Sequence, residues 1–326
     1  MILDTNVWSY VGEQRAARAL AELEDDLAMT VIVPPSILLE ALRTPVEELR
    51  SAIAGAMTAR RRVREHPLPE ARLEADELVA EARRLRPEWV RRFPMTSRLA
   101  PLEAYWTKRL WQQTARDPAY VAQIAKAIEP DTAERILEIQ RSNQRAMRDA
   151  NFRFHDEQPW SDFNSDAPAD VTTGWGGDRI EAWRSESALL FWRELVHVVR
   201  RVRRFGGDKT YADWTEAWLD LDVIARDRLS WNRFWYYEVD SRNMPRCWMR
   251  AVMPWAQLDA RVERGNPRDA QHAAYLFDAD CFVTADRRYA RALERVRSWS
   301  PRAFATVVLI PATDAVVDEI ARAVSA

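Results

Sequence analysis

The sequence predicts an α/β protein: a central parallel sheet drawn from both ends of the chain and interrupted by a large all-helical insertion. Three observations predict this. Residues 1–48 alternate short aliphatic runs with helical periodicity, and the same alternation returns over 251–326. Between them, 49–250 is rich in Arg, Glu and Trp, follows amphipathic helical spacing and has almost no strand signal. Strands alternating with helices imply parallel pairing, with helices on both faces of the sheet.

The first strand is expected at Ile2 to Asp4, followed by a helix from Gln14 to Glu24. Met29 to Val33 is a β-branched run that reads as a short buried strand, ended by Pro34-Pro35. Pro35 suits the first turn of a helix over Ser36 to Arg43. In the insertion, helices are expected at Glu70 to Phe93, Leu102 to Arg116, Asp131 to Ala150, Arg179 to Phe205 and Tyr211 to Glu238. Breaks fall at Pro67-Leu68-Pro69, in the polar stretch Asp156 to Asp178, and at Gly206-Gly207. The last part reads as a helix over Pro267 to Asp278, a strand over Cys281 to Thr284 and a helix over Arg287 to Arg297. A strand over Ala305 to Ile310 and a helix over Asp314 to Val324 complete it.

Composition narrows the function classes. With 326 residues, 47% hydrophobic and 30% charged, the chain reads as globular, with enough length for a substantial core. No apolar run approaches the ~20 residues of a membrane span, and no basic-then-apolar leader precedes Ile2, so no secretory signal is expected. Cys247 and Cys281 cannot build a disulfide framework or a four-thiolate zinc site, which fits a cytoplasmic location. His66, His155, His197 and His272 are scattered without a paired zinc motif. The net charge of −2 hides a strong bias, because Lys108, Lys126 and Lys209 are the only lysines and the other cations are Arg.

Sites in open parallel sheets form beyond the carboxyl ends of the strands. Asp4 stands where the first expected strand ends, and Asp286 just past the strand Cys281 to Thr284. Glu40 lies in the helix after the second strand, and Asp269 at the start of the helix that feeds the Asp286 strand. Each acid also has a purely structural explanation: Asp4 and Asp286 as caps, Asp269 as a first-turn acid, Glu40 as a surface residue. Together, four acids on one rim call for a compensating cation, and their oxygens suit Mg²⁺ or Mn²⁺. Such a site suits phosphodiester hydrolysis.

The residues also carry a resemblance. Met1-Ile-Leu-Asp-Thr-Asn-Val7, Val33-Pro-Pro-Ser-Ile-Leu-Leu-Glu-Ala-Leu-Arg43, Asp269-Ala-Gln-His-Ala-Ala-Tyr-Leu and Phe282-Val-Thr-Ala-Asp286-Arg-Arg-Tyr289 resemble, in this order, the acidic segments of PIN-domain ribonucleases. The resemblance implies a PIN-like three-layer α/β/α core with Asp4, Glu40, Asp269 and Asp286 as the metal-binding catalytic acids. It implies Asn6 and Thr284 as hydrogen-bonding support, with Asp280 in an outer role. It also implies a Mg²⁺- or Mn²⁺-dependent nuclease acting on RNA more than DNA, and leaves room for a homodimer. The insertion departs from compact members of that family, and a protein partner could occupy it.

Within the insertion, Arg60, Arg61, Arg62 and Arg64, and Arg200, Arg201, Arg203 and Arg204, are the densest basic clusters and the candidate nucleic-acid contacts, against a reading as solvated helix faces. Trp231, Trp235 and Tyr236 could form a base-stacking platform, but the i, i+4 spacing of Trp231 and Trp235, repeated by Trp214 and Trp218, favours a core face. Two other functions stay open at this stage. One is a catalytically inactive PIN-like scaffold binding RNA or protein through the insertion. The other is a Mg²⁺-dependent haloacid-dehalogenase-like phosphatase, whose usual second acid is here Asn6.

Overall fold

The computed structural model describes residues 1–60, 63–127, 138, 141, 142, 145, 159–161, 163, 167–205, 210–257 and 266–325. The protein is mostly helical (67%) around a small parallel sheet. Five strands are described: β1 (Ile2–Leu3), β2 (Trp160–Ser161), β3 (Ile180–Glu181), β4 (Cys281–Thr284) and β5 (Thr306–Leu309). The sheet runs β1-β4-β5, all parallel, with Ile2 beside Phe282, Leu3 beside Val283, and Cys281 beside Thr306. β2 and β3 form a separate antiparallel pair. The two ends of the chain therefore share one sheet, and β1 lies next to β4 although 277 positions separate Leu3 from Asp280.

The expected strand over Met29 to Val33 contracts to a parallel bridge at Ile32, which joins Ile2 on one side and Glu65 on the other. The positive φ of Ala28 (48°) precedes it and Pro34 follows it, so little of the run is free to pair. Glu65, and with it the far edge of the sheet, falls beyond residue 48.

Ten helices matter for the argument. They are α1 (Thr5–Glu13), α2 (Ala17–Asp26), α3 (Pro35–Ala41), α4 (Glu47–Thr58), α5 (Glu70–Leu85), α6 (Ala182–Trp192), α7 (Pro245–Ala256), α8 (Asn266–Ala273), α9 (Arg287–Trp299) and α10 (Val316–Ser325). α1 corrects the sequence reading, which left Thr5 to Glu13 without a helix and began one at Gln14. Asp4 caps α1, and Arg15 at φ 51° separates it from α2.

Two of the insertion's long expected helices are shorter than their patterns, while the one expected over Arg179 to Phe205 runs from Ala182 to Phe205 through a π segment at Arg193–Val198. α5 stops at Leu85, ahead of Pro87 and a 3₁₀ turn at Pro87–Trp89. The stretch expected over Tyr211 to Glu238 breaks into Thr210–Thr215, Leu221–Ile224, Arg228–Arg233 and a π segment at Phe234–Glu238, with Asp220 and Asp227 capping the restarts. Leu99 to Arg116 is helical through a π segment at Tyr105–Arg109. The helix expected over Asp131 to Ala150 lies almost wholly outside the described residues, as do the break at Gly206-Gly207 and residues 156–158, 162 and 164–166 of the polar stretch.

Core and insertion share one apolar interior. A continuous cluster joins Ile2, Leu3, Val7, Phe282 and Val283 of the sheet layer to Trp89, Trp183, Trp231, Trp235 and Trp248 of the helical part. α7 is the junction, packing against α5 and α6 on one side and α8 and α9 on the other.

Candidate active site

β1 and β4 are parallel neighbours, so their carboxyl ends open on the same rim. Asp4 is 5% exposed and hydrogen-bonded through both oxygens. Its Oδ1 accepts from the Thr5 backbone N–H at 2.7 Å; its Oδ2 accepts from Asn6 Nδ2 at 3.0 Å and from Thr284 Oγ1 at 2.5 Å. Thr284 Oγ1 in turn accepts from the Asp286 backbone N–H at 3.0 Å, and Asn6 Oδ1 accepts from the Ala285 N–H at 3.0 Å. Asn6 and Thr284 thus tie the end of β1 to the turn after β4, across the chain's two ends. Asp286 is exposed and caps α9, its Oδ1 accepting from Arg288 and Tyr289 N–H groups at 2.7 and 3.1 Å.

Glu40 projects from α3. Its Oε2 accepts from Thr5 Oγ1 at 3.0 Å and stands 3.3 Å from His272 Nε2, while Arg268 Nη1 lies 3.8 Å from Oε1. Asp269 and His272 are one turn apart on α8 and project to one side. Asp269 Oδ2 accepts from Gln257 Nε2 at 2.5 Å, and its backbone carbonyl accepts from Tyr289 OH at 2.8 Å.

Electrostatics join the four acids. Burial pushes the Asp269 carboxyl well above the usual carboxylate range; the charges of Asp4 and Glu40, and more weakly Asp286, push the same way, against the Gln257 bond. Burial also raises Asp4, opposed by His272 and the Thr284 bond and reinforced by Glu40. Burial lowers His272 against the pull of Asp4. Tyr289, buried beneath them, is raised well above its usual value by burial and by all four carboxyls.

Whether this rim fits a divalent cation can be judged from its side chains. The donors are hard carboxylate oxygens, Asp4 buried, Glu40 and Asp269 half-buried and Asp286 exposed, and their mutual repulsion is what Mg²⁺ or Mn²⁺ relieves. Among the described residues, no three His, Cys, Asp or Glu side chains are grouped to hold a metal ion as they stand. Asp4 turns to Asn6 and Thr284, Glu40 to Thr5, His272 and Arg268, and Asp269 to Gln257. The donor chemistry fits a hard cation, while the present rotamers satisfy the acids with protein donors.

Two sequence expectations need correction, the outer role of Asp280 and the nucleic-acid reading of Arg60, Arg64 and Arg203, while the core reading of the tryptophan pair is met. Asp280 precedes β4 and is exposed, near the Met1 amino group, at the opposite end of the strand from Asp286. Four strand residues at ~3.3 Å each put roughly 13 Å between those ends, so Asp280 has no outer role at the rim. Arg64 is buried, bonded to Glu24 at 2.6 Å and to the Ala56 carbonyl, and stacked over Trp8 at 5.1 Å, so it cannot reach a nucleic-acid phosphate. Arg60 is committed to Asp25 at 2.6 Å and to the Ala21 carbonyl. In the second cluster Arg200 and Arg201 are exposed, whereas Arg203 pairs with Asp222 and Glu216 at 2.8 and 3.1 Å. Arg61, Arg62 and the Arg204 side chain lie outside the described residues. Trp231, Trp235 and Tyr236 are buried core residues, and the Trp231 indole N–H is spent on the Ala188 carbonyl.

Gln257, Arg268, His272 and Tyr289 were not singled out by the sequence. The i, i+3 spacing of Asp269 and His272 was the one signal that could have found His272. No helix among the described residues is long and apolar enough to cross a membrane. Comparisons of the chain with protein-family models, with curated proteins and with solved structures each find no match.

Proposed function

We propose that this chain is a metal-dependent nuclease with a PIN-like α/β/α core, hydrolysing phosphodiester bonds of RNA. The observation that carries the reading is geometric: β1 and β4 are parallel neighbours, Thr284 bonds Asp4 at 2.5 Å, Thr5 beside Asp4 bonds Glu40 at 3.0 Å, and Tyr289 beyond Asp286 bonds the Asp269 carbonyl at 2.8 Å, so acids from both ends of the chain meet at one rim. Asp4, Glu40, Asp269 and Asp286 would hold the cation. A hard divalent ion there, Mg²⁺ or Mn²⁺, supplies charge neutralisation and water activation for the hydrolysis. Thr284 and Asn6 fix the orientation of Asp4, and Thr5 that of Glu40. Exposed Asp286 gives the rim an open side for a phosphodiester, beside the exposed guanidinium-bearing residues Arg287 and Arg288 at the start of α9.

Asn6 supports this reading over a phosphatase that uses a second acid two residues after the first. Its amide clamps Asp4 and the Ala285 N–H, a neutral positioning role. The scaffold reading is favoured by one observation, the absence among the described residues of a ready three-ligand group.

Asp4→Asn keeps the cap to Thr5 and removes one negative charge from the cluster. Mn²⁺-dependent cleavage of a generic RNA panel should fall about 100-fold or more, the scale of a lost transition-state interaction, with an unchanged circular dichroism spectrum. Cleavage by that variant at the wild-type rate would remove the assignment. RNA binding by wild type without Mn²⁺-dependent cleavage would favour the scaffold.

A further inference from the structure

The helix that joins the insertion to the second part of the α/β core ends at the acid rim in a residue whose chemistry is unexplained by packing. Gln257 caps the carboxyl end of α7 and is 6% exposed. Its Nε2 donates to Asp269 Oδ2 at 2.5 Å, while its Oε1 is buried without a partner among the described residues. A buried amide with one satisfied end is a poor choice for folding alone, since an aliphatic side chain of similar volume would fill the space without an orphaned acceptor.

The position of that amide is set from the insertion. At the amino end of α7, the Arg246 and Cys247 backbone N–H groups donate to the carboxylate of Glu77 on α5, at 3.0 and 3.1 Å. Midway, Arg250 Nε donates to Glu74 of the same helix at 2.7 Å. At the carboxyl end, Arg295 of α9 donates to the Ala256 carbonyl at 2.9 Å. α7 is therefore pinned at both ends, and Gln257 is held against α8 by a helix that spans the boundary between the insertion and the second part of the α/β core.

Resting on the nuclease reading above, we infer that Gln257 is a positioning residue for Asp269, held by α7, a helix that begins in the insertion and is anchored there by Glu74 and Glu77. The amide holds one oxygen of Asp269, Oδ2, and so restrains the rotation of that carboxylate. Partners of this kind orient a metal-holding carboxylate, and losing them commonly costs 10–100-fold in metal affinity or activity.

The test is a double-mutant cycle on the full chain with Mn²⁺ alone as the probe, its binding followed by electron paramagnetic resonance. Gln257→Leu should weaken Mn²⁺ binding about 10-fold or more and lower kcat for RNA cleavage, with KM for RNA within about twofold. In an Asp269→Asn background the same substitution should change Mn²⁺ affinity little, because a residue acting through Asp269 has nothing left to orient. Gln257→Met serves if the leucine variant does not fold. Wild-type Mn²⁺ affinity in the leucine or methionine variant, or a loss that adds in full to that of Asp269→Asn, overturns the positioning role and leaves the nuclease reading standing. A wild-type chain that binds no Mn²⁺ and cleaves no RNA overturns both.

Discussion

Glu186 accepts the Trp255 indole N–H at 2.5 Å, yet burial pushes its carboxyl up to about 7, against that bond and the Arg250 charge. Between about 4.5 and 7 the folded chain then holds a proton that the unfolded chain has released. The stability this group allows is full below that window and declines as pH rises through it. Glu186→Gln keeps an acceptor for Trp255 and cannot ionise. It should be more stable than wild type by about 3 kcal/mol above pH 7, with the gap closing as pH falls to about 4.5; urea unfolding at several pH values reads this directly. His66, stacked on Trp111 and lowered to about 4 by burial and by Arg64, works in the opposite sense, its contribution fading as pH falls below its ordinary value. The same scale shows why caps and site acids were hard to tell apart in the sequence. Asp4 and Asp286 do cap α1 and α9, and both also face the rim, so the structural and functional readings of each hold at once.

At the scale of elements, α1 is the most informative error. Thr5 to Glu13 carries β-branched residues, an aromatic pair and Gly12, all weaker helix formers than the Ala- and Glu-rich run that follows. Packing on α4 overrides that preference. A Cβ added at Gly12 would stand 2.6 Å from Ile53 Cγ1 and 3.2 Å from the Ile53 backbone nitrogen. Gly12→Val should therefore lower stability by about 1–3 kcal/mol through overpacking, seen as a lower Tm. A variant as stable as wild type would mean that α1 and α4 can separate without cost. β4, by contrast, appears at Cys281–Thr284 as its sequence predicts, because a compact apolar run bounded by Asp280 and Asp286 needs no distant information to be recognised. The broken helices around Asp220 and Asp227 lie between these cases. Their apolar spacing is helical, but capping acids restart the chain in new directions that periodicity alone does not encode.

For the whole molecule, the decisive fact is the shared interior through α7. An insertion with its own core would unfold by itself; here Trp231, Trp235 and Trp248 belong to the same cluster as Ile2 and Phe282. Thermal unfolding is expected as one cooperative transition, with tryptophan fluorescence and far-ultraviolet circular dichroism giving the same midpoint. Two separated midpoints would show that the helical part melts independently. The amino-acid sequence alone determined the order of helices and strands at the carboxyl end, α8 to α10 with β4 and β5, and the four acids near the strand ends, because hydrophobic alternation and the residues after a strand are local properties. Tertiary structure alone decided that Leu3 lies beside Val283, that Arg64 is sealed against Glu24, and that Gln257 meets Asp269. Those pairs are 280, 40 and 12 positions apart in the chain; each exists through packing or hydrogen bonding between separate elements, which no periodicity within one segment can specify.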